Sequence, residues 1–469
     1  MRQKGGCFTF VLLLFTVGCL PAGTTPKPVL SDEGEVILYL QPVPQEFGKI
    51  RFVIDEISTI RDDDSQIPLS LSFKEIEGAK LLGRQKLLAT AILPPGSYTG
   101  LSIAIKSASV QGEEGETALF IAEEMVTAAK LFEVKPRKAT ALFLTLSPSG
   151  AISSGIKFTP SFSLATSGGM LINLTGYVSN AESNNISVFN KKTMQVVNVI
   201  ATGSKPRGMA FDQRRTRAYV AVAGDDAVEV YDILKGDLIG RIRLKFGDEP
   251  IDLALTPDGR TLVSVNQASN SVSIIDAISM VEIESIRVGE GPHSVVLDPS
   301  GFKAFVMNTL SKTISVVDLT QRTITVTVSV AGVPLQGAFN LAGDRLYVIS
   351  RDTPNLAVID PAQFALIDRI FVGTEAASIT VDLQSGLVLV GKKSGGEIIV
   401  VDPFSSIFID TIQVRGRAAF MTIDRQENTL FITLPNRKLV QKVNFTSKRI
   451  MAEIDVGDGA SEVAVVGER

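Results

Sequence analysis

The sequence predicts an all-β protein, an N-terminal β-sandwich followed by a seven-bladed β-propeller closed by its C-terminal strand. Three observations carry this. First, short strands rich in Val and Ile and ending in Asp or Asn recur along the C-terminal two-thirds of the 469 residues: NNISVFN at Asn190, DAVEVYD at Asp232, NSVSIID at Asp276, KTISVVD at Asp318, NLAVID at Asp360, EIIVVD at Asp402 and KLVQKVN at Asn444. Second, their spacings are 42, 44, 42, 42, 42 and 42 residues, and a period near 42 with several short strands per unit is the mark of one four-stranded sheet per repeat. Third, the part before the repeats shows alternating strands and no helical period.

The elements follow in chain order. Arg2 and Lys4, the apolar run Phe8 to Val17 and the small residues before Cys19 read as a secretory leader over 1–18. The run is too short for a span, which needs roughly 20 apolar residues. Cys7 and Cys19 are the two cysteines, so cleavage before Cys19 leaves a single thiol at the first mature position and no disulfide within the chain. A lone Cys directly after a leader resembles the lipid-modified cysteine of bacterial lipoproteins, although Thr16 stands where that family prefers Leu. The alternative is an ordinary secreted protein. Attached acyl chains would anchor the chain at about 0.8 kcal/mol per buried methylene, and residues 19–33 would be the tether. Leu20 after the cysteine implies, by the same resemblance, an outer membrane where the cell has one.

Residues 34–165 form the expected sandwich, with strands at Glu35–Gln41, Ile50–Ile57, Ile67–Phe73, Lys86–Leu93, Tyr98–Val110 and Lys138–Leu146. Leu93-Pro94-Pro95-Gly96-Ser97-Tyr98 is a turn launching a strand. The order of GEVILYL, LPPGSYTGLSIAI and KATALFLTL resembles an uncharacterised β-sandwich domain of bacterial lipoproteins, which implies no activity. Thr166 to Gly169 reads as a hinge.

The propeller occupies 171–469. About sixteen residues after each terminal Asp or Asn, Pro206, Pro250, Pro292, Pro334, Ala376, Ala418 and Ala460 open another strand. The last of these has no followers, so it is expected to complete the first blade and leave no open edge. Tyr177-Val178-Ser179-Asn180 with Asn185-Ile186-Ser187-Val188, and Leu262…Asn266…Val272 to Asp276, resemble the YVTN-type propeller repeat of bacterial and archaeal surface proteins. With no Trp in the chain, WD-type repeats do not fit.

Composition narrows the chemistry. A single His excludes sites built on several imidazoles, and a net charge of −4 argues against nucleic acid as partner. The terminal Asp of each repeat is read as bonding turn amides rather than metal. His293 precedes Ser294, but alternation along a strand would send the two side chains to opposite faces, and no Gly-x-Ser-x-Gly elbow surrounds them. Two residues past the Pro/Ala column stand Gly208, Asp252, Ser294, Gln336, Ser378, Phe420 and Glu462, a set expected to ring the mouth of the axial channel. Asp252 and Glu462 there could hold a cation or waters, though no metal or other cofactor is assigned. Lys205, Arg207, Arg351, Lys392, Lys393, Arg415, Arg417, Arg437 and Lys438 should share that rim and could steer an anionic partner. Lys442 replaces an inward Val or Ile of the other repeats and suggests a local irregularity. Asp62-Asp63-Asp64 reads as a surface turn.

The expectation is therefore a membrane-tethered extracytoplasmic protein of a bacterial envelope, in the outer membrane, the periplasm or at the cell surface. It would act as a platform for an envelope protein or polymer, with Asp252, His293, Gln336, Glu462, Arg207 and Arg417 as binding residues and no catalytic residue. The alternatives are a lactonase-like propeller hydrolase at the channel mouth and a self-assembling surface component. Substituting Cys19→Ser tests the anchor: the variant should leave the membrane fraction for the soluble one on cell fractionation, and retention with membranes would refute lipid attachment.

Overall fold

The computed structural model describes residues 29–466 except 114, 148–149, 154–155 and 168–173. The leader, Cys7, Cys19, most of the tether and the hinge at 168–169 lie outside the described residues. No helix among the described residues is long and apolar enough to cross a membrane.

The N-terminal unit is two sheets around one core. The smaller sheet has the order Ser161–Thr166, Ala139–Ser147, Gly34–Leu40, Lys86–Leu93, Ser70–Leu71, and the larger is built on Ile50–Arg61 and Gly96–Gln111. Val36, Leu38, Leu40, Phe52, Ile57, Tyr98, Leu101, Ile103, Leu142 and Leu144 fill the space between them. The Pro-Pro-Gly turn works through Tyr98, whose hydroxyl donates to Pro94 O at 2.8 Å while its ring stacks on Phe132 at 5.4 Å. Strands at Glu116–Ile121, Met125–Val134 and Ser161–Thr166 join those expected from the sequence.

Gly34–Leu40 is buried along its whole length. It pairs parallel with Ala139–Ser147 and antiparallel with Lys86–Leu93. Its even residues enter the core just described. Ile37 and Tyr39 point the other way, into a second core made with Val178, Phe189, Val196, Phe431, Ile454 and Val463 of the repeats. Each such fully buried side chain contributes about 1.5–3 kcal/mol. Polar bonds extend the contact. Gln85 donates to Val196 O at 3.1 Å and accepts from Val196 N at 2.7 Å, as a strand residue would. Arg84 forks to Glu453 at 2.7 Å and Asp455 at 2.9 Å, and Lys86 reaches Asp455 at 3.2 Å.

The repeats fold as seven antiparallel four-stranded sheets among the described residues, the arrangement of a β-propeller. The first sheet draws on both ends of the array: Thr175–Asn180 pairs with Asn185–Asn190 and with Ala460–Val465. Successive inner strands lie side by side, from Pro206–Asp212 round to Ala460–Val465, which again neighbours Pro206–Asp212. The terminal Asp of the hairpins caps its own turn; Asp232 Oδ1, for example, accepts from Leu234 N at 2.8 Å and Lys235 N at 3.1 Å, and Asp276, Asp318 and Asp360 repeat this. At the inner ends of the second strands Asn180, Asn266 and Asn308 are fully buried, each amide donating to hydroxyls of the next strand.

A buried ion pair ties the seventh sheet to the first, Lys191 Nζ to Asp424 Oδ2 at 2.6 Å, with both side chains sealed from solvent. Lys442 is the second cation there, and its strand slips register against the outer strand at Lys442/Val443, as the third strands of the other sheets also do. Its ammonium donates to Lys191 O and to Glu427 Oε2, both at 2.7 Å, over the Phe431 ring. An inward Lys is tolerated because the closure supplies both partners. Asp424→Ala should cost about 3–5 kcal/mol by leaving a buried ammonium unpaired, whereas Lys191→Met with Asp424→Leu should recover most of it. Urea unfolding of the two variants checks this, and an equal loss in both would show that packing, not the unpaired charge, sets the cost.

Candidate functional site

The inner strands do not begin as plain strands. The pairing register slips at Pro250/Asp252, Pro292/Ser294, Pro334/Gln336 and Ala376/Ser378, and similarly between Pro206 and Met209. A bulge inserts one residue and breaks the two-residue alternation, so neighbouring side chains turn to the same side. Arg207, Ile251, His293, Leu335, Ala377 and Ser461, one step ahead of the polar ring, therefore line the cavity at the mouth, and Ala419 joins them from just before a strand that pairs without a slip. Alternation alone hides this column. The readable signal was its place directly after the Pro/Ala column in all seven repeats.

His293 and Ser294 show the effect. Their side chains do not diverge, as unbroken alternation would require: His293 Nδ1 donates to Leu335 O at 3.0 Å and Ser294 Oγ to the same oxygen at 2.7 Å. The carbonyl can only accept, so Nδ1 carries the proton, and the serine hydroxyl is spent on the backbone rather than on the imidazole. Burial lowers the His293 pKa, and the charges of Arg351, Arg207 and Arg417 act in the same direction, against the Leu335 bond.

The ring bonds five of the seven sheets to the next, Gly208 and Phe420 being the two positions without a polar side chain. Glu462 Oε2 accepts from Met209 N at 2.7 Å, Asp252 Oδ2 from Val295 N at 2.9 Å, and Gln336 Oε1 from Ile379 N at 3.3 Å. Ser378 donates to Ala418 O at 2.7 Å. Gly208, between Glu462 and Asp252, has no room for a side chain, since a Cβ would stand 2.6 Å from Asp252 Cα. The two carboxyls therefore sense each other across it. Burial raises Asp252 to about 7, and burial with the charge of Asp252 pushes Glu462 well above the ordinary carboxylate range. Among the described residues no three or more His, Cys, Asp or Glu are grouped to hold a metal.

Above the ring lies a cavity of about 1510 Å³, bounded below by the inner strands and on another side by Ser72, Phe73, Leu87 and Ile92 of the N-terminal unit. Lys205, Arg207, Arg351, Lys393, Arg417, Arg437 and Lys438 line it. Two expected rim cations do not. Lys392 is buried and donates to Thr374 O at 2.6 Å, because it occupies the buried place of Asn266 and Asn308 in its repeat; Arg415 is drawn to Glu453 at 3.4 Å. Asp63 of the Asp62–Asp64 turn accepts from Ser65 N at 3.0 Å.

Fold and mouth together define a β-propeller protein. No family model matches the sequence, and no curated protein matches it. Solved structures do resemble it. A functionally unknown protein from Desulfotomaculum acetoxidans has a TM-score of 0.56 at 14% identity, covering 63% of this chain and 99% of that one. Dihydro-heme d1 dehydrogenase NirN, in complex with DHE, has a TM-score of 0.50 at 12% identity, covering 64% and 76%. Kuenenia stuttgartiensis hydrazine synthase has 0.49 at 16%, covering 61% and 93%. At these identities the likeness concerns the fold alone.

The carboxyl pair sets a pH dependence. With Asp252 moved from 3.8 to about 7, protonation favours the folded state. That stabilisation is complete below about pH 4, is lost as pH rises toward 7, and is absent above it. Glu462→Gln keeps the bond to Met209, as Gln336 does in its own sheet, and removes one charge. The variant should melt above the parent at pH 8 by an amount on the order of 1 kcal/mol, with a shallower loss of stability from pH 5 to 8. Parallel pH profiles for the two proteins would rule out the coupled pair.

Proposed function

We propose that this chain is a binding protein of the cell envelope, whose ligand sits in the cavity between the N-terminal unit and the mouth of the inner strands. In this reading the seven sheets are the complete set of blades, of the YVTN type, closed by Ala460–Val465, and the N-terminal unit is a lipoprotein β-sandwich tethered through Cys19. The observation that carries it is the convergence of one residue from the head of each of the seven inner strands, Arg207 to Ser461, on one cavity that the N-terminal unit also walls. A site assembled from every repeat and a second unit is the concave, largely preformed kind that ligands occupy.

Catalysis is not required by this arrangement. Asp252 and Glu462 have accepting oxygens committed to strand amides, and Ser294 donates to a carbonyl. The competing reading, a lactonase-like hydrolase, rests on one observation, the Asp252 carboxyl raised to about 7 in the same cavity lining as the His293 imidazole, whose pKa burial lowers.

A photo-cross-linking side chain at Ala419, in the cavity, and another at the exposed Ile407 on an outer strand separate the readings. In intact cells Ala419 should capture an envelope component that Ile407 does not. Turnover of lactones or esters by the purified protein, abolished by Asp252→Asn with the fold intact, would establish the hydrolase instead.

A further inference from the structure

We propose that the ligand of this cavity is a compact, soluble oligoanion carrying several phosphate or carboxylate groups. The inference rests on reading the cavity as a ligand site and names the chemistry of what enters it.

The argument is an account of charges around one space. The acidic side chains of the lining are mostly taken. Asp455 is held by Arg84 and Lys86, and Asp458 by Lys438 at 2.8 Å. Asp252 and Glu462 belong to the hydrogen-bonded ring, and Glu35 is buried with its own partner. Glu182, exposed at the edge, is the acid of the lining without a cation in ion-pair range among the described residues. The cations are the reverse case. Lys205, Arg207, Arg351, Lys393, Arg417 and Arg437 make no ion pair and no side-chain hydrogen bond among the described residues, although long charged side chains elsewhere on the chain commonly do. They come from the second, fifth, sixth and seventh sheets, so they face the cavity from more than one side, the third and fourth sheets supplying none.

Guanidinium groups prefer forked contacts with carboxylate or phosphate oxygens. One monoanion would engage one or two of these six cations and leave the rest facing each other across the cavity. A ligand with three or more anionic groups answers the whole set. The space is adequate, since 1510 Å³ exceeds the roughly 300–1,000 Å³ that drug-sized ligands fill. The wall formed by Phe73, Leu87 and Ile92 closes one side of it, which favours a compact soluble species over a lipid headgroup presented on a bilayer.

Isothermal titration of the folded full-length chain, with tripolyphosphate, benzenehexacarboxylate, inorganic phosphate and phosphatidylglycerol vesicles as separate probes, tests this. Tripolyphosphate or benzenehexacarboxylate should bind at least tenfold more tightly than inorganic phosphate, and which of the two wins tells phosphate from carboxylate as the source. Vesicles should not bind through the cavity. Arg207→Ala, Arg351→Ala and Arg417→Ala should each weaken the favoured probe about tenfold, an expected scale for one charge-assisted contact, while Arg243→Ala on an outer strand leaves it unchanged. These arginines are exposed, so the melting temperature should stay at the parent value. Equal affinity in the triple variant, or binding confined to vesicles, would overturn the proposal. Loss of anion binding alongside continued capture at Ala419 would reject the oligoanion while keeping the cavity as a ligand site; failure of both would reject the site.

Discussion

The strand Gly34–Leu40 is the constraint on which the rest of the molecule leans. A strand sends alternate side chains to opposite faces, and here both faces are buried in different cores. Val36, Leu38 and Leu40 belong to the N-terminal unit, Ile37 and Tyr39 to a core shared with the first and seventh sheets. Its parallel pairing with Ala139–Ser147 fits this, since parallel strands are normally covered on both sides. The N-terminal unit is thereby fixed where the two ends of the repeat array meet, beside Lys191, Asp424 and Lys442. It also becomes a wall of the cavity. The position of that wall is a consequence of packing at the closure, and a small shift there would reshape the site through Ile37, Tyr39 and Ala460, which belong both to the shared core and to the lining.

The second determinant is the bulge at the head of the inner strands. A regular strand would present one residue in two to the mouth. The bulge presents two in succession, and the pair divides the work. The second residue, from Glu462 through Asp252 to Gln336, bonds to the neighbouring inner strand and holds the sheets in a belt. The first is left to face the cavity, which is where Arg207 and His293 stand. Stability and recognition are thus carried by adjacent residues of one repeat position, and polarity in the belt is no evidence for a ligand there.

That division explains what was legible in the sequence. The repeat period and the polar ring could be read because they depend on spacing, which a bulge does not alter. The cavity-facing column could not be read from alternation, because the bulge inverts the alternation exactly where it matters. Lys442 and Lys392 misled for another reason. A lysine at a buried position reads as an error or as a surface charge until its partners appear, and those partners, Lys191 O with Glu427 and Thr374 O, come from other segments of the chain. In the N-terminal unit, Met125–Val134 escaped notice because its inner face offers Ala128, Phe132 and Val134 among exposed neighbours, too sparse a pattern to mark a strand. The docking of the unit was hidden likewise: GEVILYL shows a buried strand but not that its two faces lie in two cores.

The net charge of −4 conceals the electrostatics of the mouth. Acids and bases are nearly equal in number along the chain, but they are not used alike. Aspartates close hairpin turns, cap bulges and bond strand amides, since a short carboxylate accepts from two or three N–H groups at once. Lysine and arginine have no such local employment in a turn. A turn aspartate stays charged but has its oxygens held by backbone amides, whereas the cations at the mouth have no such partner among the described residues. At the mouth the bases of four sheets meet around one open cavity. The positive potential there follows from which residues stand at the head of the inner strands and in the adjoining loops, and variation at those positions sets how strong it is and which anions answer it.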